Sequence, residues 1–221
     1  MNVNLVTFHQ PTEHEAEAFR VLRTNLRFTN VDSPKKVILL TSAKQGAGKS
    51  TTISNLAITM AKYSLKTLLI DGDLRRPTIH KMFDLRKNNG LTNYLVGTQP
   101  FSEFIKSVPD YPTLDILTSG IEPPEPSELL FSQKLKELIG KARQEYDIVL
   151  IDAPPVLGMS DSSIWATLAD GIVLVIASNQ SKIEDVKEAK NQLERTNVKI
   201  LGTVLTKVKD NNYVDYYTKD R

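Results

Sequence analysis

The chain has 221 residues, enough for one well-filled α/β domain, and its composition is ordinary: 40% hydrophobic, 24% charged, formal net charge +2. That balance gives no electrostatic footing for nucleic-acid binding, and the lack of cysteine excludes disulfides, thiolate chemistry and Cys-ligated zinc. His9, His14 and His80 have no metal-ligand spacing, no apolar run approaches the ~18 residues of a membrane span, and the N-terminus has no secretory pattern, so the expectation is a soluble cytoplasmic protein that reaches a membrane only through a partner.

Residues 12–30 read as an amphipathic helix. Phe19, Leu22 and Leu26 share one face, Glu17, Arg20 and Arg27 lie roughly opposite, and Arg23 sits on the flank. The apolar run Val37–Thr41 predicts a first buried strand. It leads into Ser42-Ala43-Lys44-Gln45-Gly46-Ala47-Gly48-Lys49-Ser50-Thr51, and Ile53, Leu56, Ala57, Met60 and Ala61 then recur at helical spacing. Strand, glycine loop, lysine, hydroxyl and helix in that order make a phosphate cradle, here Gln45, Gly46, Ala47, Gly48, Lys49, Ser50 and Thr51. The two glycines let backbone N–H groups turn toward an anion, Lys49 reaches β/γ-phosphate oxygens, and the Ser50 hydroxyl ligates Mg²⁺. One position departs from G-x-x-x-x-G-K-S/T: Ala43 stands where the pattern has glycine.

Further buried strands are predicted at Thr67–Asp71, Ile148–Asp152, Ile172–Ile176 and Lys199–Leu205, with a sixth over Leu114–Thr118. Helical patterns such as Lys134–Gln144 and Ile183–Arg195 separate them, so the fold class is α/β: a P-loop NTPase with a doubly wound, mostly parallel sheet and helices on both faces. Two strands end in aspartate at the edge where parallel sheets bind ligands: Asp71, followed by Gly72 and Asp73, and Asp152, followed by Ala153-Pro154-Pro155. Asp152 reads as the Walker B acid on the metal. Asp71 is placed to orient a nucleophile and accept its proton late, or to hold metal, with Asp73 in support. Arg75 and Arg76 follow, available to phosphate or to a neighbour's acids, and Pro77 fits the first turn of a helix. Ser127, after the stiff Glu122–Pro126 loop, reads as a helix N-cap. The tail from 208 is polar and holds Tyr213, Tyr216 and Tyr217; about 12 flexible residues reach up to ~40 Å.

A phosphate loop, then D-G-D-x-R-x-P, then I-D-x-P-P closely resembles the bacterial tyrosine kinases tied to capsule and exopolysaccharide synthesis. The likeness runs from about Glu17 to the tail and includes Gly90-Leu-Thr, Leu117-Thr-Ser-Gly120 and Pro126-Ser-Glu-Leu-Leu130. It implies ATP and Mg²⁺ as cofactors, bound through Lys49, Ser50 and Thr51, with Asp71 and Asp73 as a second Walker motif and Asp152 as Walker B acid. It implies that Glu17, Arg20 and Arg23, matching E-x-x-R-x-x-R, join subunits into a ring, and that Tyr213, Tyr216 and Tyr217 are autophosphorylated in trans. Residues 1–30 then form an oligomerisation helix, 31–207 the kinase domain and 208–221 a flexible acceptor tail. Partners implied are the cytoplasmic tail of a transmembrane adaptor, which recruits the kinase to the membrane, and a cognate tyrosine phosphatase; no nucleic acid is expected.

Two departures bear on this. Lys44 stands where plasmid-partition and division-site ATPases carry a signature lysine, which makes an ATPase switch the alternative. Thr206-Lys207 replaces the Asn-Lys that the family uses at the base; without the rest of an N-K-x-D pattern, ATP is expected over GTP. The tyrosine tail, the D-G-D-x-R-x-P sequence and the Glu17–Arg23 motif favour the kinase.

Overall fold

The computed structural model describes residues 5–9, 14–29 and 35–208. Its strands are β1 (Val37–Ser42), β2 (Thr67–Asp71), β3 (Lys106–Val108), β4 (Tyr111–Leu117), β5 (Ile148–Asp152), β6 (Gly171–Ala177) and β7 (Ile200–Thr206). Its helices are α1 (Val6–His9), α2 (His14–Phe28), α3 (Lys49–Lys62), α4 (Ile79–Met82), α5 (Leu91–Val96), α6 (Pro126–Leu130), α7 (Gln133–Glu145), α8 (Asp161–Leu168) and α9 (Ile183–Glu194). The strands form one sheet in the order β3-β4-β2-β5-β1-β6-β7. Every pairing is parallel except β3 with β4.

Alternation along β1 divides the core. Val37 and Leu39 face one side, with Leu135, Leu138 and Ile139 of α7, Trp165 of α8 and Leu193 of α9. Ile38 and Leu40 face the other, with Ile53, Leu56 and Met60 of α3, and Leu5 and Leu26 beyond them. Both faces are covered, which is why β1, β2 and β5 are buried throughout without a polar alternation. β1 lies between β5 and β6, so the order reverses beside it and opens a crevice at the carboxyl ends of β1 and β5.

Several details depart from the sequence reading. The sixth strand begins earlier, at Tyr111, because it pairs with β3, an antiparallel edge strand too short to carry a periodic signal. β7, expected as a buried strand, is an edge strand with Gly202, Thr203 and Leu205 exposed. Ser127 is not an N-cap: Glu125 holds that position and Pro126 starts α6, where its missing N–H is harmless. Pro77 precedes the Thr78 N-cap of α4 and lies outside the helix. Arg23, expected on the flank of α2, is buried. The polar face of α3 is covered too: Asn55 accepts from the Thr7 backbone N–H and hydroxyl at 3.0 and 2.8 Å, docking α1 on it. Tyr213, Tyr216 and Tyr217 lie outside the described residues.

Asp170, between α8 and β6, ties the base of the sheet together. It accepts from the backbone N–H groups of Lys36 and Val37, both at 2.8 Å, and from Arg143 Nη1 at 2.6 Å. Burial pushes this carboxyl up, but the Arg143 bond and the two N–H groups outweigh it and hold it below the ordinary value. A depressed folded-state pKa adds stability above the unfolded value near 4, and that increment is lost as pH falls through the depressed value. Asp170→Asn is expected to cost about 1 kcal/mol at pH 7 after solvent screening, roughly 2–4 °C in Tm. Melting curves of the two proteins should converge as pH falls through that depressed value, where the wild-type carboxyl is protonated too. A separation that persists unchanged there would dissociate this carboxylate from acid stability.

Candidate active site

β1 delivers the phosphate loop and α3 receives it. Gly46 and Gly48 have φ of 78° and 87°, left-handed values that favour glycine; Ala43 is outside that region and its methyl packs in the core, so the pattern's missing glycine changes little. Gly48 caps α3 without a side-chain hydrogen bond, which leaves the first-turn N–H groups facing the loop's concavity. Lys49 is buried at that N-terminus. Ser50 Oγ donates to Asp152 Oδ2 at 2.6 Å. The loop's far wall is β7, where Thr206 Oγ1 donates to the Ala47 carbonyl at 2.6 Å and Lys207 Nζ donates to Gln180 Oε1 at 2.7 Å.

Parallel pairing of β2 with β5 sets Asp71 directly beside Asp152, the last residue of each strand. Both are buried, and the Oδ1 atom of each has no hydrogen-bond partner in the chain. Asp71 Oδ2 accepts from the Ile79 N–H at 3.1 Å. Burial first, and then the Asp152 charge, push the Asp71 carboxyl well above the carboxylate range. Burial also pushes Asp152 up, to about 6, although Lys49 and the Ser50 hydroxyl work against it. Two orphaned carboxylate oxygens beside a lysine, a hydroxyl and a helix N-terminus suit a hard cation held between protein and phosphate oxygens. Magnesium typically takes only one or two carboxylates, keeping its other positions for water and phosphate. Ser50, Asp71 and Asp152 are the residues placed to hold it. Asp73 lies on the same rim, nearly buried, with Oδ1 accepting from the Arg76 N–H at 2.9 Å.

No local sequence pattern marks what fixes the Asp71–Asp73 loop. Helix α8 clamps it from below at two residues one turn apart. Trp165 Nε1 donates to the Gly72 carbonyl at 3.0 Å, and a Cβ on Gly72 would come within 2.9 Å of that indole, so glycine is required by the approach. Buried Asp161 accepts from Arg75 Nε at 2.8 Å and from the Ser127 hydroxyl at 2.6 Å. Arg75, expected on phosphate or a neighbour's acid, is thus engaged within its own chain. Arg76 Nη1 donates to Gln45 Oε1 at 2.9 Å, joining the acidic loop to the phosphate loop. Lys44 is paired with Asp185 of α9 at 2.7 Å. On α2, Glu17 and Arg20 form an exposed ion pair, whereas Arg23 lies under Tyr63.

Residues 35–211 match the family described as AAA domain. Over 223 aligned residues the chain is 40% identical to the tyrosine-protein kinase YwqD of Bacillus subtilis, covering 100% of this chain and 94% of that protein. Among solved structures, the kinase domain of Escherichia coli tyrosine kinase ETK superposes with a TM-score of 0.86 at 30% identity, over 93% of this chain and 82% of that one. The septum site-determining protein MinD of Pyrococcus horikoshii, complexed with Mg-ADP, aligns less fully: TM-score 0.66 at 26% identity, over 77% and 69%. The P-loop NTPase fold is common to both structures, but the likeness over nearly the full chain is to the kinases, which sets aside the ATPase-switch alternative. With its phosphate loop and paired strand-end aspartates on one rim and a tyrosine kinase matching it from end to end, the chain belongs to the bacterial tyrosine-protein kinases and has their nucleotide-dependent phosphotransferase activity.

Proposed function

We propose that the chain moves the γ-phosphoryl group of Mg-ATP to tyrosine hydroxyls, including Tyr213, Tyr216 and Tyr217 of a neighbouring copy. The observation that carries the site assignment is the pairing of Asp71 beside Asp152, each with one buried orphaned oxygen, at the strand edge where Ser50 bonds Asp152. The loop N–H groups and Lys49 bind the phosphates and offset charge that spreads over the transferring group. Magnesium, held at Ser50, Asp152 and Asp71, would neutralise phosphate oxygens and draw them into line. Asp71 orients the incoming hydroxyl and takes its proton late; burial, which raises its proton affinity, makes it the better base. Asp73 supports this rim. Thr206, bonded to the loop at Ala47, and Lys207 stand on the side where the base would lie.

Copies are proposed to join through α2 into a ring that brings one subunit's tail to the next subunit's site, with Glu17 and Arg20 at the contact; Arg23, expected there too, is buried against Tyr63 behind them. The cytoplasmic tail of a transmembrane adaptor would activate the kinase and hold it at the membrane, in capsular or exopolysaccharide synthesis, with a cognate tyrosine phosphatase reversing the modification. No helix among the described residues is long and apolar enough to cross a membrane. Each phosphate added to the tail brings about −1.5 to −2 charge and would loosen the ring by repulsion.

Intact-mass spectrometry after incubation with Mg-ATP should show phosphates on Tyr213, Tyr216 or Tyr217. Lys49→Met and Asp71→Asn should each cut their rate of appearance by at least about a hundredfold while leaving Tm within a few degrees. ADP release with no phosphate gained, even with the adaptor segment present, would refute the tail as acceptor. Glu17→Ala with Arg20→Ala should move the light-scattering mass toward the monomer; Glu17 is exposed and Arg20 half-buried, so their loss leaves the core intact. An unchanged mass would remove that pair from the interface.

A further inference from the structure

A cavity of about 380 Å³ opens at the opposite end of the sheet from the phosphate loop, between α2, the C-terminus of α3 and the starts of β1 and β5. Its volume falls within the roughly 300–1,000 Å³ of ligand pockets. Ile38 and Ile148 floor it, so it lies about 13 Å from Asp152 along β5, at roughly 3.3 Å per residue. Arg23, Arg27 and Lys35 line it, with Asp147 as the one acid on its wall. That acid is engaged: Asp147 Oδ2 accepts from the Lys66 N–H at 2.8 Å.

Arg23 is the unusual residue. It is only 8% exposed, and its Nε and Nη1 atoms are buried with no hydrogen-bond partner. Its guanidinium lies flat on Tyr63, with Cζ 3.1 Å from the ring centroid. Stacking offsets part of the loss of hydration, but an aromatic face accepts no in-plane hydrogen bonds, so the donors remain unsatisfied. A buried cation with unsatisfied donors is costly, and an arriving anion recovers part of that cost. Two further cations on the same wall favour a multiply charged ligand. The planar guanidinium, held in orientation by the ring, fits the oxygens of a tetrahedral oxyanion.

We infer that this cavity is a second anion site, separate from the nucleotide site, that takes a phosphate group: free phosphate or a phosphate monoester such as phosphotyrosine. Arg23 supplies the buried donors, and Arg27 and Lys35 close over the ligand from the rim. The inference does not depend on the phosphoryl-transfer assignment, and Lys49→Met, which disables the phosphate loop, separates the two. Titration of that variant with inorganic phosphate, followed calorimetrically, should retain one phosphate per chain. On the same background, Arg23→Gln should weaken binding by about tenfold or more, as expected for loss of a charge-assisted contact. Arg27→Ala with Lys35→Ala should do the same and keeps the question answerable should Arg23→Gln fold poorly, because neither residue is buried.

Phenyl phosphate identifies the source. Binding about tenfold tighter than inorganic phosphate assigns the site to a phosphorylated tyrosine, and equal binding to free phosphate. Absence of phosphate binding in Lys49→Met, binding indifferent to both sets of substitutions, or acetate binding as tightly as phosphate would overturn the assignment.

Discussion

Two carboxylates at the ends of adjacent buried strands repel each other where little water screens them, and much of the rest of the molecule is arranged around that contact. Hydrogen bonding from Thr67↔Ile148 to Asp71↔Asp152 fixes the register, and a slip by one residue would turn one of the acids to the other face. With both side chains buried, full ionisation of the pair needs positive charge brought close. Lys49 supplies some of it to Asp152. The remainder has to come from what binds. The charge balance of the rim is therefore tied to what binds there: positive charge brought beside Asp71 and Asp152 would offset the burial and mutual repulsion that raise both carboxyls.

Such a contact works only if the loops carrying it do not move, and the structure holds them from outside the site. Trp165 and Asp161 grip the acidic loop at Gly72 and Arg75, and Arg76 spans to Gln45. Ser127 adds a third element, since its hydroxyl bonds the same Asp161 oxygen that faces Arg75 Nη2. The position of α6 is thus coupled to that of the loop carrying Asp71 and Asp73. Beside this arrangement lie the exposed side chains of Ile121 and Phe131, at either end of the loop and helix that carry Ser127.

The parts legible in the sequence were those governed by local rules. Five strands and the fold class followed from β-branched runs alternating with helical periodicity, and the loop followed from two glycines whose left-handed φ is needed locally. The aspartates were legible because a parallel sheet brings strand ends to one edge wherever the strands lie in order. What stayed hidden depended on contacts between distant segments. Asp161 and Trp165 look like ordinary members of a short helix until α8 is packed under Gly72. Arg75 reads as a free cation because its acid lies 86 residues away. Arg23 reads as a flank residue on helical geometry alone, since only the tertiary approach of Tyr63 gives its guanidinium a surface to lie on.

Helix α3 connects these features. Its first residue is Lys49, its C-cap is Tyr63, and it runs about 21 Å between them at 1.5 Å per residue. The helix dipole favours an anion at the first end and cations at the second. Cations do gather there: Lys62 in the last turn and Arg23 over Tyr63. Burial, and after it the charge of Arg20, pull the Lys62 pKa down. Asn55 in the middle of α3 holds α1 through Thr7 and donates to the Thr51 carbonyl in the phosphate-binding turn. Helix α1 is therefore anchored to the helix that opens on Lys49. An anion at the far end would relieve charge on α2 and α3 together.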